Sequence, residues 1–331
     1  MRILIIKLSS LGDLFHALPA VHNLKTETGA TIDWVTNAAY AELVRCFDDV
    51  ETVIPFPRHD MRRDGAAFLR TLRQSRYDKI IDLQGLLKSA LVARAARGGD
   101  RIGPSFHREG SRLFYQAVAG ERDKNRHAVI ENLDIIHHLG LRLQTPVFPV
   151  TLPETAFTVP SPHVVICPAS RWETKNWPAD RFAAVARHLQ QQCGASITLL
   201  GAPADRPACQ AIAEALPAPC HNLAGKTSIV EMGSILKTAD LLISNDSGPV
   251  HMAAAVGTRT LVIFGPTNPG RTGPFGEGHR VLQALNTCQP CMSRRCKNPE
   301  SSCIRNITID EVIAAAKTNG DVLGKLLCSR Q

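Results

Sequence analysis

Two successive series of short apolar runs, each alternating with helix-like stretches, constrain the fold more than any other feature of this 331-residue chain. A parallel strand is covered by helices on both faces, so its sequence is apolar throughout and does not alternate with polar residues. Such runs predict strands at residues 2–6, 31–36, 52–55 and 79–83, and again at 163–167, 196–200, 241–244 and 260–264. Helices are predicted at residues 14–26, 85–97, 127–139, 179–192 and 229–238. The pattern predicts an α/β protein with two Rossmann-like, doubly wound parallel sheets.

The alternation stops at residues 144–162, which contain five prolines and no helical period. We interpret this stretch as a linker that follows one last short strand, and we expect domains at residues 1–155 and 156–331. Ligands of open parallel sheets bind beyond the carboxyl ends of the strands. The cleft between the two halves is therefore the expected site.

The overall charge narrows the classes of partner. A net charge of +8 favours anionic partners, although solubility alone would also explain it. Aromatic residues make up only 5% of the chain, and no nucleic-acid-binding motif is present, so we expect no nucleic-acid partner. No apolar run approaches the roughly 20 residues of a membrane span, and residues 1–6 are too short for a signal peptide. We expect a cytoplasmic protein.

The loop after the first strand runs from Lys7 to Asp13 and leads into a helix. Gly12 permits a close approach of the backbone. The carboxylate of Asp13 is expected either to cap the helix, which is common and is worth about 1 kcal/mol, or to face a substrate. The loop matches neither the P-loop nor the dinucleotide-binding fingerprint.

Two loops of the second half predict an anion site. After residue 244, Asp246, Ser247 and Gly248 open an alanine-rich helix, and His251 lies one turn further on. A helix N-terminus binds phosphate well, although an ordinary cap would have the same sequence. The loop after residue 167 adds three groups that suit a diphosphate, namely Ser170, Arg171 and Lys175. Together the two loops predict a nucleotide diphosphate site.

Ten cysteines are present, and six of them are scattered. Those six are interpreted as small buried hydrophobic residues or unreactive surface thiols: Cys46, Cys167, Cys193, Cys209, Cys220 and Cys328. Cys288, Cys291, Cys296 and Cys303 form a cluster that allows a tetrahedral zinc site, a reduced loop-stabilising group, or one or two disulfides. We expect no role for this cluster in the chemical step.

Several segments resemble a known family, and they occur in the family's order along nearly the whole chain. They are residues 7–13, 82–89, 170–178, 225–228, and 245–255 followed by 264–269. On these motifs the chain resembles glycosyltransferase family 9, the ADP-heptose:lipopolysaccharide heptosyltransferases. The N-terminal half is most similar to heptosyltransferase I, whereas the cysteine-rich tail is more similar to heptosyltransferase II.

The resemblance implies a GT-B fold, with two Rossmann-like domains facing across a cleft, and an inverting transfer that needs neither metal nor cofactor. Asp13 of the acceptor-binding domain would be the general base. Donor-binding residues would lie in the C-terminal, nucleotide-sugar-binding domain: Ser170, Arg171, Lys175, Asp205, Thr227, Asp246, Ser247, Gly248 and His251. Asp205 occupies the place of a ribose contact, and Thr227 lies beside the adenine pocket.

The implied partners are ADP-heptose and a Kdo-lipid A or heptosyl-Kdo-lipid A acceptor. The acceptor is acidic, and we expect it to meet Ser10, Gly12, Arg62, Arg63 and Lys88. The resemblance further implies a monomer in peripheral contact with the cytoplasmic face of the inner membrane. Two alternatives remain: a related transferase with another nucleotide sugar or acceptor, and a non-catalytic binding module. The second is disfavoured because Asp13, Lys175 and His251 are all present.

Overall fold

A computed structural model describes residues 1–284, 286 and 288–319 and divides the chain into two compact units. Unit 1 is Met1–Thr151 and unit 2 begins at Leu152, so the boundary lies inside the proline-rich linker. The last short strand predicted before the linker is absent from the described residues 139–149, and Val150 forms only an isolated bridge to Phe47. Prolines lack the N–H group that a continued ladder of hydrogen bonds requires.

Unit 1 contains one six-stranded, all-parallel sheet. Its strands are β1 (Arg2–Ile6), β2 (Thr31–Asn37), β3 (Thr52–Phe56), β4 (Arg76–Asp82), β5 (Arg97–Pro104) and β6 (Ala117–Ala119). Its helices are α1 (Leu11–Thr28), α2 (Ala41–Val44), α3 (Met61–Leu72), α4 (Leu87–Ala95) and α5 (Ala128–His138). The strand order is β3-β2-β1-β4-β5-β6.

Unit 2 contains a second six-stranded parallel sheet. Its strands are β7 (His163–Cys167), β8 (Ser196–Leu199), β9 (His221–Asn222), β10 (Leu241–Asn245), β11 (Thr260–Phe264) and β12 (Arg280–Gln283). Its helices are α6 (Ala179–Cys193), α7 (Arg206–Glu214), α8 (Ile229–Thr238), α9 (Gly248–Ala255), α10 (Pro269–Thr272) and α11 (Ile309–Asn319). The strand order is β12-β11-β10-β7-β8-β9.

Both sheets have the same topology when the strands are numbered within their own unit. The order is then 3-2-1-4-5-6, the doubly wound Rossmann arrangement. The chain reverses its direction of travel across the sheet between β1 and β4 in unit 1, and between β7 and β10 in unit 2. Ligands of such sheets bind at this switch point. The predicted α/β class with two parallel sheets is confirmed.

The central strands explain why the apolar runs are continuous. Side chains at residues 3–6 of β1 and throughout β7 are buried, because helices cover both faces of each sheet. The edge and near-edge strands β5, β6, β9 and β12 lack such runs and were not predicted. No helix in the described part of the chain is long and apolar enough to span a bilayer.

Strand β5 corrects the predicted helix at residues 85–97. Helix α4 ends at Ala95, and Arg97 already belongs to β5. A Cβ on Gly98 would lie 2.0 Å from the carbonyl oxygen of Tyr77, so only glycine allows β5 to pair with β4 at this position. Strand β5 forms by backbone pairing with β4, but its glycines and charged residues do not have the sequence pattern of a strand.

Candidate functional site

Asp13 lies in the loop at the switch point of unit 1, immediately beyond β1. Helix α1 begins at Leu11 with Ser10 as its N-cap residue. The Oδ2 atom of Asp13 accepts hydrogen bonds from the backbone N–H of Ser10 at 2.6 Å and from its hydroxyl at 2.8 Å. The side chain of Asp13 remains 43% exposed, and its Oδ1 lies 3.9 Å from Nδ1 of His16. Asp13 therefore caps its helix and still presents a carboxylate to solvent.

Residues beyond β4, the other strand at this switch point, hold the Asp13 loop. The side-chain oxygen of Gln84 accepts hydrogen bonds from the backbone N–H groups of Leu8 at 3.0 Å and Ser9 at 2.9 Å. Oδ1 of Asp82 accepts in turn from the backbone N–H of Gln84 at 2.7 Å. Sequence analysis placed Asp82 and Gln84 in a motif shared with the family but gave a role only to Lys88 of that motif. Strands β1 and β4 are neighbours in the sheet, which the sequence alone does not show. This adjacency brings Gln84 and Asp82 against the Asp13 loop.

A buried cation lies beneath the same loop. Nζ of Lys7 donates to the carbonyl oxygen of Leu83 at 2.5 Å, and its side chain is almost wholly buried. Burial lowers the pKa of Lys7, and the carboxylates of Asp13, Asp82 and Glu131 partly oppose that shift. Burial likewise raises the pKa of Asp82. Perturbed buried charges of this kind are concentrated at functional sites.

The predicted acceptor residues occupy three places in unit 1. Ser10 and Gly12 lie beside Asp13, where the hydroxyl of Ser10 is already bonded to Asp13 and Gly12 is buried in the first turn of α1. Arg62 and Arg63 are exposed in the first turn of α3, and Lys88 is partly exposed in the first turn of α4.

The two arginines of α3 differ in their charge environment. Arg63 forms ion pairs with Asp64 at 2.9 Å and with Asp60 at 3.6 Å. No ion pair joins Arg62 to a carboxylate among the residues that the structure describes. The charge of Arg63 is thus partly compensated, whereas Arg62 is the more available cation.

In unit 2, two predicted residues and one that was not predicted lie together at the switch point between β7 and β10. Nζ of Lys175 lies 2.6 Å from Oδ2 of Asp246, and the hydroxyl of Thr267 donates to the same oxygen at 2.6 Å. The side chain of Lys175 is 16% exposed and that of Asp246 is 6% exposed. Thr267 follows β11, the next strand of the sheet, and was not predicted. Lys175, Asp246 and Thr267 thus form a cluster in which a largely buried lysine lies next to the residues that open a helix.

That helix is α9, whose predicted start is confirmed. Ser247 is its N-cap residue, and Gly248 is its first residue. The hydroxyl of Ser247 lies 3.1 Å from that of Ser244 and does not cap the helix with its side chain. His251 is buried on the same helix, one turn on. The first-turn N–H groups of α9 and the adjoining Lys175 together provide positive potential for an anion.

Asparagine side chains shape the loop that carries Lys175. Oδ1 of Asn176 accepts from the backbone N–H of Ser170 at 2.7 Å, and Oδ1 of Asn245 accepts from that of Trp177 at 3.0 Å. Nδ2 of Asn245 also donates to the carbonyl oxygen of Pro168 at 2.6 Å. The hydroxyl of Ser170 donates to the carbonyl oxygen of Trp172, and Arg171 is exposed. The sequence signal for Asn176 and Asn245 was that they lie in the family-like segments 170–178 and 245–255.

The residues predicted to contact the nucleoside lie apart from this set along the chain. Oδ2 of Asp205 accepts from the backbone N–H of Ala202 at 2.7 Å and so caps its own short turn. Thr227 is half-buried in the turn before α8. An open cavity of about 350 Å³ lies beside these turns, and its lining is Arg206, Pro207, Gln210, Asn222, Ala224 and Lys226.

The described cysteines are all free thiols. Cys167, Cys193 and Cys209 are buried as expected of small apolar residues, whereas Cys328 lies outside the described residues. Burial and the neighbouring cysteines Cys288, Cys291 and Cys296 raise the pKa of Cys303. Within the described ranges no three His, Cys, Asp or Glu side chains form a set suited to a metal ion.

Comparisons with known proteins match this architecture. Residues 66–301 match the family model for glycosyltransferase family 9 (heptosyltransferase). Lipopolysaccharide heptosyltransferase 1 of Pseudomonas aeruginosa is 30% identical over 321 residues, which cover 89% of this chain and 87% of that protein.

Two solved structures are similar over the full length. The Escherichia coli heptosyltransferase WaaC, solved with ADP, has a TM-score of 0.81 and 26% identity over 97% of this chain and 100% of its own. The Escherichia coli ADP-heptose lipopolysaccharide heptosyltransferase II has a TM-score of 0.80 and 25% identity over 100% and 99%. The family resemblance and the GT-B fold class inferred from sequence are confirmed. The chain belongs to glycosyltransferase family 9 and is a glycosyltransferase.

Proposed function

We propose that this chain is a heptosyltransferase of the lipopolysaccharide core, transferring L-glycero-D-manno-heptose from ADP-heptose to the Kdo-lipid A inner core. The observation that carries the proposal is the set in unit 2 where Lys175, held by Asp246, adjoins the N-terminus of α9. Such a set suits a nucleotide diphosphate without a metal ion. The similarity to WaaC, solved with ADP, supports an adenine nucleotide.

The proposed reaction is an inverting displacement. The acceptor hydroxyl loses its proton to the carboxylate of Asp13 while its oxygen forms the bond to the anomeric carbon. The bond from that carbon to the diphosphate oxygen breaks, and ADP leaves with the electron pair. Lys175, Arg171 and the N–H groups of α9 stabilise the charge that develops on ADP. Asp246 contacts the heptose hydroxyls, whereas Ser247, Gly248 and His251 bind the diphosphate or the sugar. Asp205 and Thr227 bind the nucleoside.

The exposed carboxylate of Asp13 supports its role as the base. Its Oδ2 is occupied by Ser10, but the remaining exposed surface is sufficient for a hydroxyl to approach. Ser10 and Gly12, which neighbour Asp13 in the chain, are assigned to the acceptor. Group transfer requires the two bound substrates to come into contact, and water must be excluded when they do.

For the acceptor, we favour the transfer step of heptosyltransferase I. The relative that covers most of this chain at 30% identity is a heptosyltransferase 1. The two solved heptosyltransferases, one of them heptosyltransferase II, are equally similar in fold, so the alternative is transfer to the first heptose. A family 9 transferase with another nucleotide sugar or acceptor is the remaining alternative.

Transfer assays with two acceptors test the proposal. Purified protein is incubated with ADP-heptose and either Kdo-lipid A or its monoheptosylated form, and products are measured by mass spectrometry. Product on Kdo-lipid A alone is the expected result. Product on the monoheptosylated acceptor alone would assign the second transfer step, and no product on either would overturn the proposed substrates.

Neutralising Arg62 is expected to raise the KM for the acceptor about three- to tenfold and to leave the KM for ADP-heptose unchanged, because a partly solvated contact with a phosphate or carboxylate contributes about 0.5–1.5 kcal/mol. Arg63→Gln should have a smaller effect, since Asp60 and Asp64 already compensate that charge. Steady-state kinetics with each substrate varied separately measure both constants. Unchanged acceptor KM in Arg62→Gln would remove α3 from the acceptor site.

The proposed location is the cytoplasmic face of the inner membrane, where a monomer meets its lipid acceptor. One surface of unit 1 supports membrane contact. Leu87 and Leu91 lie one turn apart on α4 and are 39% and 49% exposed, and Leu113 on the adjoining 3₁₀ turn is 87% exposed. Lys88 follows Leu87 in the chain and Arg112 precedes Leu113, and Arg108 is an exposed cation a few residues before them. Exposed leucines with cationic neighbours fit an anionic lipid surface.

Leu91→Asp and Leu113→Asp are each expected to lower partition onto phosphatidylglycerol vesicles about tenfold, because each removes apolar insertion and adds repulsion. Vesicle sedimentation measures the bound fraction. Leu143→Asp is the matched control, since Leu143 is 44% exposed elsewhere in unit 1. Equal partition of all three variants and the unaltered protein would contradict the assignment of this surface.

A further inference from the structure

The cysteine-rich region contributes a segment to the donor loops of unit 2. Within the described part of the chain, residues 289–295, here called the 289–295 segment, form three hydrogen bonds with these loops, and each bond is accepted by a backbone carbonyl oxygen. The side chain of Gln289 donates to the carbonyl oxygen of Gly265 at 2.7 Å, and the N–H of Met292 donates to that of Pro266 at 2.9 Å. The hydroxyl of Thr174 donates to the carbonyl oxygen of Ser293 at 2.8 Å. The segment is therefore fixed to the loops beyond β7 and β11.

Arg294 of this segment lies over the indole ring of Trp172. Its guanidinium carbon is 4.9 Å from the ring centroid, and Nζ of Lys175 is 4.8 Å from the same centroid. The two cations are thus at most about 10 Å apart. Cation–π contacts hold each cation against the ring, although two like charges at this distance repel.

The charges of the two cations are compensated differently. Lys175 forms an ion pair with Asp246 at 2.6 Å. For Arg294, no ion pair with a carboxylate occurs within the described ranges of the chain. An exposed guanidinium held within about 10 Å of the lysine proposed to bind the diphosphate, with no carboxylate partner in the described structure, is suited to a phosphate group.

We propose that Arg294 is a further donor-binding residue, which supplies a second cation to the diphosphate of a nucleoside diphosphate sugar. The proposal rests on the proposed function of unit 2. Trp172 contacts both cations and so keeps the guanidinium within about 10 Å of Lys175, and the 289–295 segment anchors the backbone of Arg294. The cysteine-rich region thereby acquires a role in binding the leaving group, whereas sequence analysis left a zinc site, a reduced loop-stabilising group or disulfides open and expected no role in the chemical step.

Calorimetric binding of ADP and AMP tests the proposal. Arg294→Gln is expected to weaken ADP binding about tenfold, the scale of one charge-assisted hydrogen bond, and AMP binding by about twofold or less. Arg294→Lys should retain most of the ADP affinity because it keeps the charge. Arg295→Gln is the matched control: Arg295 is the exposed neighbour in the same segment, and no contact joins it to Trp172 in the described structure.

Each contrary outcome has a distinct meaning. Unchanged ADP affinity in Arg294→Gln overturns the proposal, and so does an equal loss of ADP and AMP affinity, which indicates a structural role of the segment. An equal loss in Arg295→Gln overturns it as well, because the effect would then be a general one of surface charge. Lys175→Gln serves as the positive control for ADP binding. Failure of the unaltered protein to bind ADP at all would instead contradict the proposed function.

Discussion

Asp13→Asn is expected to lower kcat by about 10²- to 10⁴-fold, the contribution of a general base, while the affinity for ADP stays unchanged. Asparagine retains a side-chain oxygen that can accept the hydrogen bonds from Ser10, so the cap on α1 is largely preserved. An amide cannot take the proton of the acceptor hydroxyl. Initial rates at saturating donor and acceptor, together with calorimetric titration of ADP, measure the two quantities.

A second helix provides a matched control for the capping role. Glu311 occupies the third position of α11, where Oε2 accepts from the backbone N–H of Thr308 at 2.7 Å and from its hydroxyl at 2.8 Å. This is the hydrogen-bond pattern of Asp13 with Ser10. Glu311→Gln is therefore expected to change the free energy of unfolding by about 1 kcal/mol or less and to leave kcat unchanged.

The contrast between these two variants separates capping from catalysis. If Asp13→Asn and Glu311→Gln have equal, small effects on kcat, Asp13 serves its helix alone and another group must accept the proton. A large loss of ADP affinity in Asp13→Asn would also contradict the proposed division of roles, because the donor is assigned to unit 2.

Sequence analysis correctly predicted the elements that are buried on both faces, because their sequences are almost entirely apolar. Strands β1, β7 and β11 have the predicted bounds, because helices bury both faces and every residue after Arg2 of β1 and His163 of β7 is apolar or β-branched. Helix α3 and strand β5 were not predicted, since the former begins with charged residues and the latter contains two glycines. For β5, the pairing with β4 overrides local propensity.

The candidate site was predicted as a set of residues but not as a set of contacts. Sequence analysis treated capping and substrate contact as alternatives for Asp13, whereas one carboxylate oxygen caps and the side chain remains partly exposed. It placed Lys175 and Asp246 in two separate loops and predicted no contact between them, although they form an ion pair. Contacts between residues so far apart in sequence depend on strand order, which no local pattern encodes.

Lys175→Met is expected to weaken ADP binding by about 100-fold or more, because it removes a cation and leaves the buried carboxylate of Asp246 uncompensated beside the diphosphate. The same change should lower the free energy of unfolding by about 3 kcal/mol, the scale for breaking a buried ion pair. Arg126→Met is the control, since Arg126 pairs with the buried Asp134 at 2.6 Å in unit 1. It should lower stability and leave ADP affinity unchanged.

The double variant Lys175→Met/Asp246→Asn separates the two contributions of Lys175. Removing the charge of Asp246 relieves the uncompensated carboxylate, and Thr267 can still donate to the remaining side-chain oxygen. Stability should therefore return to near that of the unaltered protein, because a neutral pair replaces a broken ion pair. ADP affinity should recover only in part, since the phosphate still lacks the lysine. If ADP affinity recovers completely, Lys175 merely neutralises Asp246 and does not bind the donor. Comparison of the unaltered protein with Lys175→Met, Asp246→Asn and the double variant gives the interaction energy between the two residues.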